Sequence, residues 1–128
     1  MIFVDTNLFL RYLLKDITYQ YEEAKSLFLK AAYGEINLVT STIVIFEIEW
    51  VLSDYYGLNK TDVISSLEKI IQLKIYLDEK ALIDKALLFY KHQSLDLEDC
   101  YNLAFAQERK VKDFKTFDKK LKRAFKNF

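Results

Sequence analysis

At 128 residues with 52% hydrophobic side chains, the chain can bury a core of its own, and this composition excludes a disordered polymer. We expect a single domain over residues 1–128. No apolar stretch approaches the roughly 20 residues that a membrane-spanning helix needs. A single cysteine, Cys100, excludes an intramolecular disulfide and suits the reducing cytoplasm.

The formal net charge is zero, but the charges are unevenly distributed. Residues 109–128 contain nine basic and two acidic side chains, a net charge of +7, which leaves −7 on residues 1–108. A basic segment of this kind suits a polyanionic partner. It equally suits a solvated surface of lysine side chains, so the sequence leaves both interpretations open.

Hydrophobic periodicity predicts strands that alternate with helices. In chain order we predict a strand at 2–5, helices at 8–15 and 19–33, a strand at 35–39, helices at 42–56 and 60–72, an edge strand at 73–77, helices at 79–92 and 96–111, a strand at 113–117 and a helix at 118–125. Gly34 and Gly57 follow helical patterns where a left-handed cap is expected, and Asn59 is a candidate N-cap. This order predicts a parallel sheet covered on both faces. Ligands of such sheets bind beyond the carboxyl ends of the strands, where the strand order reverses.

Asp5, Thr6 and Asn7 interrupt two apolar segments at the end of the first predicted strand. One interpretation is mechanical, because Asp and Thr are good helix N-caps. The other is chemical, because a carboxylate at a strand end can hold a ligand.

Glu47 lies on the helix predicted at 42–56. At about 100° per residue, the predicted buried face contains Val44, Ile48, Val51 and Tyr55, and Glu47 falls within roughly 70° of its centre. Glu49 falls roughly 130° away, toward solvent. A carboxylate beside a buried face needs a partner, which a cation or a basic side chain would supply.

The late helices begin with further carboxylates. Asp96 and Asp99 share the first turn of one helix, and Asp118 precedes the last helix, with Thr116 two residues earlier. All three acids are also plausible caps or partners of the helix dipole. Cys100 is interpreted as a small buried hydrophobe.

In the predicted topology these acidic residues converge at one end of the sheet. Carboxylates that share a crevice repel one another unless a cation is present. Oxygen ligands indicate Mg²⁺ or Mn²⁺, and the lone His92 gives no zinc cluster or histidine-based triad.

At this point the chain resembles PIN-domain ribonucleases, and most closely the VapC-type toxins of toxin–antitoxin pairs. The matching segments are VDTNLFLRYLLKD (4–16), STIVIFEIEWVL (41–52), LDLEDCYNLAFA (95–106) and KTFDKKL (115–121). The resemblance implies a three-layer α/β/α sandwich with a central parallel sheet of four to five strands. It also implies metal-dependent endoribonuclease activity and a small antitoxin as partner.

Carried over by position, the resemblance makes Asp5, Glu47, Asp99 and Asp118 the acidic, metal-binding and catalytic quartet. Asn7, Asp96 and Thr116 become supporting residues. One or two Mg²⁺ or Mn²⁺ ions would bind the scissile phosphate and activate a water. The candidate RNA-binding residues of the basic segment are Lys115, Lys119, Lys120 and Lys122.

Other functions remain open from the sequence. A phosphatase with Asp5 as nucleophile would typically carry a second Asp where this chain has Asn7. A stand-alone RNA-processing nuclease competes with a toxin, and an inactive PIN-like binding module would have no metal affinity. Ile43, Phe46 and Trp50 form a second apolar stripe, which packs internally, against a second subunit in a homodimer, or against the antitoxin.

Overall fold

The computed structural model describes residues 1–127, so Phe128, the last residue of the predicted domain, lies outside the described residues. The elements in chain order are β1 (Ile2–Phe3), α1 (Thr6–Leu14), α2 (Thr18–Ala32), β2 (Leu38–Thr40), α3 (Thr42–Trp50), a π-helical segment (Val51–Tyr55), α4 (Lys60–Gln72), β3 (Tyr76–Leu77), α5 (Lys80–His92), α6 (Leu97–Glu108) and α7 (Lys119–Lys126). Every predicted helix is present, and α4 has the predicted bounds.

The chain divides into two compact units. The first, Met1–Asp78, contains the sheet and α1 to α4, and the second begins at Glu79 and contains α5 to α7. That residues 1–128 form a single domain stays a prediction. Within residues 1–127, no helix combines the length and the apolar character needed to cross a membrane.

The sheet of the first unit is parallel, as predicted, with the strand order β1-β2-β3. Ile2 pairs with Leu38, and Val39 pairs with Tyr76. The hydroxyl of Thr40 extends the contact by donating to the carbonyl of Val4 at 2.8 Å. The described residues form three strands, so the expected four to five are not confirmed, and their order does not reverse anywhere.

The strand predicted at 113–117 is wrong, because the structure assigns this segment no strand. Local side chains take up its backbone groups instead: Asp113 Oδ1 accepts from the Phe114 N–H at 2.8 Å, and Thr116 Oγ1 accepts from the Asp118 N–H at 3.0 Å. Such bonds compete with a β-ladder for the same donors. Phe114 then packs against Phe125 of α7, with ring centroids 5.3 Å apart.

Helix ends follow capping rules that the sequence revealed only in part. Gly34 and Gly57 adopt positive φ, at 79° and 66°, and Asn59 caps α4 by accepting from the Asp62 N–H. Helix α6 ends at Glu108, earlier than the predicted 111, in a Schellman motif whose left-handed residue is Lys110 at φ 55°. The sequence gives no signal for this end, because a lysine occupies the position that glycine prefers.

Each unit has its own buried side chains. In the first, Phe9, Ile45, Ile48 and Leu52 have no exposed surface, and Phe9 stacks on Phe28 at a centroid distance of 5.6 Å. In the second, α5 packs on α6, and the fully buried side chains include Leu97, Cys100 and Leu103. Cys100 is therefore the small buried hydrophobe that the sequence predicts.

Candidate active site

Asp5 holds the N-cap position of α1, but its side chain makes no capping hydrogen bond. The carboxylate is exposed and follows directly after the buried Val4. Asp5 thus occupies the N-cap position with its backbone, as the capping interpretation predicts, but its side chain does not act as a cap. The helix does not use the oxygens of Asp5, which leaves them available for a ligand.

The two residues after Asp5 have different surroundings. Thr6 is 4% exposed, and its Oγ1 has no hydrogen-bond partner among the described residues. Asn7 is exposed and lines an open cavity of about 250 Å³ together with Arg11 and Gln20. Asn7 is therefore accessible to a ligand, and its supporting role stays a prediction.

Arg11 is a residue of this region that the sequence analysis missed. Its guanidinium donates to Asp16 at 2.7 Å and to the Tyr56 hydroxyl at 3.1 Å. The Tyr56 hydrogen bond is the main cause that raises the pKa of Arg11, and the charge of Asp16 adds to it. The sequence signal that could have identified Arg11 is its position four residues after Asn7, because this spacing puts the side chains of Asn7 and Arg11 on one face of α1.

Glu47 and Glu49 have the opposite of their predicted environments. Glu47 is exposed, whereas Glu49 is 9% exposed and has an interaction partner. The buried residues from position 42 to position 55 are Val44, Ile45, Ile48, Glu49 and Leu52. The predicted face fails because Val51 and Tyr55 lie in the π-helical segment, where 100° per residue no longer holds.

In the second unit, Asp99 is within electrostatic reach of two other carboxylates of the predicted site. Burial raises the pKa of the half-buried Asp99, and the charges of Asp96, Asp118 and Glu98 raise it further. Asp96 sits at the N-cap position of α6 without a side-chain capping bond. Burial and these like charges both disfavour the ionised form of Asp99, and a bound cation would offset the like charges.

Asp118 has a structural role as well. Its Oδ1 accepts from the backbone N–H groups of Lys120 and Leu121 at 2.9 and 3.0 Å, so it caps α7. Oδ2 has no hydrogen-bond partner in the described part of the chain. Thr116 holds the Asp118 backbone through its Oγ1. One oxygen of Asp118 is therefore used by the helix, and the other remains open to a ligand.

The nine basic residues from Arg109 to Lys126 are all exposed. Lys115 pairs with Asp113 at 2.8 Å, and this hydrogen bond lowers the pKa of Asp113 and raises that of Lys115. Lys120 Nζ donates to Ser94 Oγ. The side chains of Lys119 and Lys122 make no hydrogen bond or ion pair with residues 1–127. The basic segment is thus an accessible cationic surface.

The donor chemistry of the predicted quartet suits a hard cation, because all its ligands are carboxylate oxygens. Within residues 1–127, however, the side chains as positioned form no group of three or more His, Cys, Asp or Glu that could hold a metal ion. The residues fit Mg²⁺ or Mn²⁺ in type but do not form a complete coordination shell.

The family comparison covers almost the whole chain. The family described as PIN domain matches residues 2–126. No curated protein and no solved structure matched the chain.

Proposed function

The chain belongs to the PIN domain family, and from that premise we propose that it is a divalent-metal-dependent endoribonuclease and the toxin of a toxin–antitoxin pair. PIN domains are generally nucleases. The observation that carries the proposal is the half-buried Asp99 with Asp96 and Asp118 nearby: burial raises the pKa of its carboxyl, and the charges of both neighbours raise it further. Carboxylates concentrated in this way serve a nuclease that neutralises a phosphodiester through a cation.

The proposal assigns roles to the chain's own side chains. Asp5, Glu47, Asp99 and Asp118 supply the carboxylates, and Asp118 does so through Oδ2 while Oδ1 caps α7. Thr116 holds the Asp118 backbone, and Asn7 and Asp96 support the site with exposed polar groups. Lys115, Lys119, Lys120 and Lys122 hold phosphates without reading bases. A bound Mg²⁺ or Mn²⁺ would lower the pKa of a water and stabilise the charge that develops on the leaving oxygen.

The proposed protein partner is a small antitoxin. Ile43 and Trp50 of the apolar stripe are 74% and 54% exposed, and Phe46 between them is half-buried. We assign this stripe to the antitoxin, and self-association of the purified chain would assign it to a second copy instead. The cytoplasm remains the proposed compartment, supported by Cys100, the single cysteine of the chain, which is buried.

Cleavage of a fluorescent single-stranded RNA tests the enzymatic proposal. We expect cleavage by the wild type with Mn²⁺ and none with a chelator. Asp99→Asn and Asp5→Asn should each lower the rate by about 100-fold or more, because each removes charge that supports several kcal/mol of transition-state stabilisation. Glu108→Gln is the matched control, since Glu108 is an exposed acid at the other end of the helix that carries Asp99.

Equal rates for all variants would reveal a contaminating nuclease and contradict the proposal. Titration calorimetry with Mn²⁺ gives a readout without activity: the wild type and Glu108→Gln should bind the ion, and Asp99→Asn should bind it more weakly. Expression in cells separates a toxin from a stand-alone processing nuclease: growth arrest by a toxin should be relieved by co-expression of an antitoxin from an adjacent gene, and arrest by a processing nuclease should not.

An inactive RNA-binding module is the second candidate. The observation that favours it is the lack of a three-ligand metal group among residues 1–127. It predicts RNA binding through the basic segment, no heat of Mn²⁺ binding, and no cleavage.

A further inference from the structure

Phe117 is the most exposed large hydrophobic residue among those the structure describes, at 106% of its reference surface. No other side chain covers its ring. A fully exposed phenylalanine gains nothing for folding, because it buries no apolar area. Its neighbour in the same segment shows the contrast, since Phe114 is half-buried and packs on Phe125 at 5.3 Å.

Hydrogen bonds hold the backbone on both sides of Phe117. Thr116 Oγ1 accepts from the Asp118 N–H at 3.0 Å, and Asp118 Oδ1 caps α7 through Lys120 and Leu121. The ring is thus attached to a fixed turn between a bonded threonine and a capped helix. The backbone that carries the ring is therefore ordered before binding, and the entropy lost on binding is mainly that of the ring's own rotation.

The charges around Phe117 are suited to a nucleic acid. Lys115, Lys119 and Lys120 lie within three residues of it and are exposed, as are the other basic residues from Arg109 onward. Exposed aromatic rings interleaved with cations are the binding platform for single-stranded nucleic acid, where bases stack and phosphates pair with lysines. The next residue, Asp118, is one of the proposed catalytic carboxylates, so a base on this ring would lie close to the bond that is cut.

We propose that Phe117 stacks against a nucleobase of the bound single-stranded RNA and thereby positions the strand beside Asp118. This inference rests on the proposed ribonuclease function and adds to it a positioning residue that contacts the bases rather than the phosphates. Because every base has a π-face, the contact tolerates any sequence. It favours single strands, since a base paired within a helix cannot lay its face on the ring.

The rival occupant of the ring is an apolar pocket on a protein partner. The surrounding charges argue against it, because the core of a protein interface is depleted of lysines. The apolar stripe of Ile43 and Trp50 offers such a partner a surface on a different element, α3.

The test compares two probes of equal length and charge, in chelator so that no cleavage occurs. One is an RNA of about six nucleotides, and the other is the same backbone without bases. We expect the wild type to bind the RNA about 5- to 150-fold more tightly than the abasic probe, and Phe117→Ala to bind both equally weakly. Phe117→Trp should keep the difference, and Phe117→Leu, which is apolar but has no ring, should lose it. Phe117 buries nothing, so these variants should fold as the wild type does.

Tyr33→Ala is the matched control, because Tyr33 is also an exposed aromatic, at 79%, but lies outside the basic segment. It should leave both affinities unchanged. An RNA containing 2-aminopurine gives a direct signal, because stacking quenches its fluorescence, and the quench should vanish in Phe117→Ala and Phe117→Leu.

Several outcomes would overturn the stacking contact. They are an unchanged preference in Phe117→Ala, full binding by Phe117→Leu, or an effect of Phe117→Ala on self-association or antitoxin binding alone. A failure of the nuclease proposal gives a different set of results. The RNA would still bind and the 2-aminopurine fluorescence would still be quenched through Phe117, but no RNA would be cleaved in Mn²⁺, and Asp99→Asn would not weaken Mn²⁺ binding.

Discussion

Asp5 and Asp118 occupy the same position in front of a helix, but only Asp118 uses its side chain as a cap. Asp118 Oδ1 accepts two backbone N–H groups at 2.9 and 3.0 Å, whereas Asp5 accepts none. Replacing an N-cap acid with alanine costs about 0.5–2 kcal/mol. We expect the upper half of that range, about 1–2 kcal/mol, for Asp118→Ala. Helix α7 has eight residues and buries only Leu121 and Ala124, so little packing compensates for the lost cap.

The matched variants separate the components of this free energy. Asp118→Asn keeps an acceptor oxygen and loses only the attraction between its charge and the helix dipole, which is about 0.3–1 kcal/mol. Asp5→Ala removes no capping bond and should change the free energy of unfolding by less than about 0.5 kcal/mol. Urea denaturation followed by circular dichroism measures all three, at equal m values. Hydrogen exchange of the Lys122 amide, which bonds to the Asp118 carbonyl, reports fraying of α7 directly.

Equal losses for Asp5→Ala and Asp118→Ala would refute this reasoning, because the hydrogen bonds would then not decide the cost. The same variants bear on catalysis. If Asp118→Asn folds like the wild type and still loses cleavage, the loss comes from Oδ2 chemistry and not from the cap.

Three further predictions concern charge and backbone. Asp99 has a raised pKa, so its ionised form costs folding free energy. Asp99→Asn should therefore raise the urea midpoint at pH 7, and this gain should shrink as pH falls toward about 4, the value for an unfolded Asp. Lys110→Gly should raise the free energy of unfolding in urea by up to about 1 kcal/mol, because the left-handed φ of 55° costs about 1–2 kcal/mol and glycine's extra entropy offsets about half. Reversing the charges of Lys119, Lys120 and Lys122 should weaken RNA binding and reduce its salt slope by about 2, at about 0.7 per phosphate contact, as titrations at several salt concentrations would measure. An unchanged slope would make these lysines a solvated surface only.

The sequence predicted the helices and strands whose start or end is marked by a nearby capping or turn residue. The helix α4 has a cap in Asn59 and the strand β2 follows a glycine turn, and both are present. The prediction of a strand at 113–117 was wrong. The apolar pattern of this segment resembles a strand, but the side chains of Asp113 and Thr116 accept hydrogen bonds from backbone N–H groups that a strand would need for its ladder. Side-chain competition of this kind depends on geometry that a pattern of apolar residues does not contain.

The candidate site was predictable in its residue types and not in their environments. Burial and the charges of Asp96 and Asp118 raise the pKa of Asp99, but residues 1–127 form no group of three acids that could hold a metal, so the quartet stays a prediction. The environments of Glu47 and Glu49 were reversed, because a helical wheel assumes one period and this helix changes its period after Trp50. Arg11 escaped prediction because Tyr56, the partner that contributes most to its raised pKa, lies 45 residues further along the chain.

The π-helical segment Val51–Tyr55 also bears on how the length of this chain can change. The Tyr56 N–H bonds to the Val51 carbonyl at 3.0 Å, so this turn contains one residue more than an α-helical turn would. Deleting a single residue such as the half-buried Ser53 would let α3 continue as an ordinary helix, with its bonded turns intact. Tyr56 would keep its orientation, because its N–H would then bond to the Val51 carbonyl across an ordinary α-helical turn, and its hydrogen bond to Arg11 would be retained. One-residue deletions should therefore be tolerated at this turn, whereas deletions within α3 before Trp50 should shift every following residue of the helix.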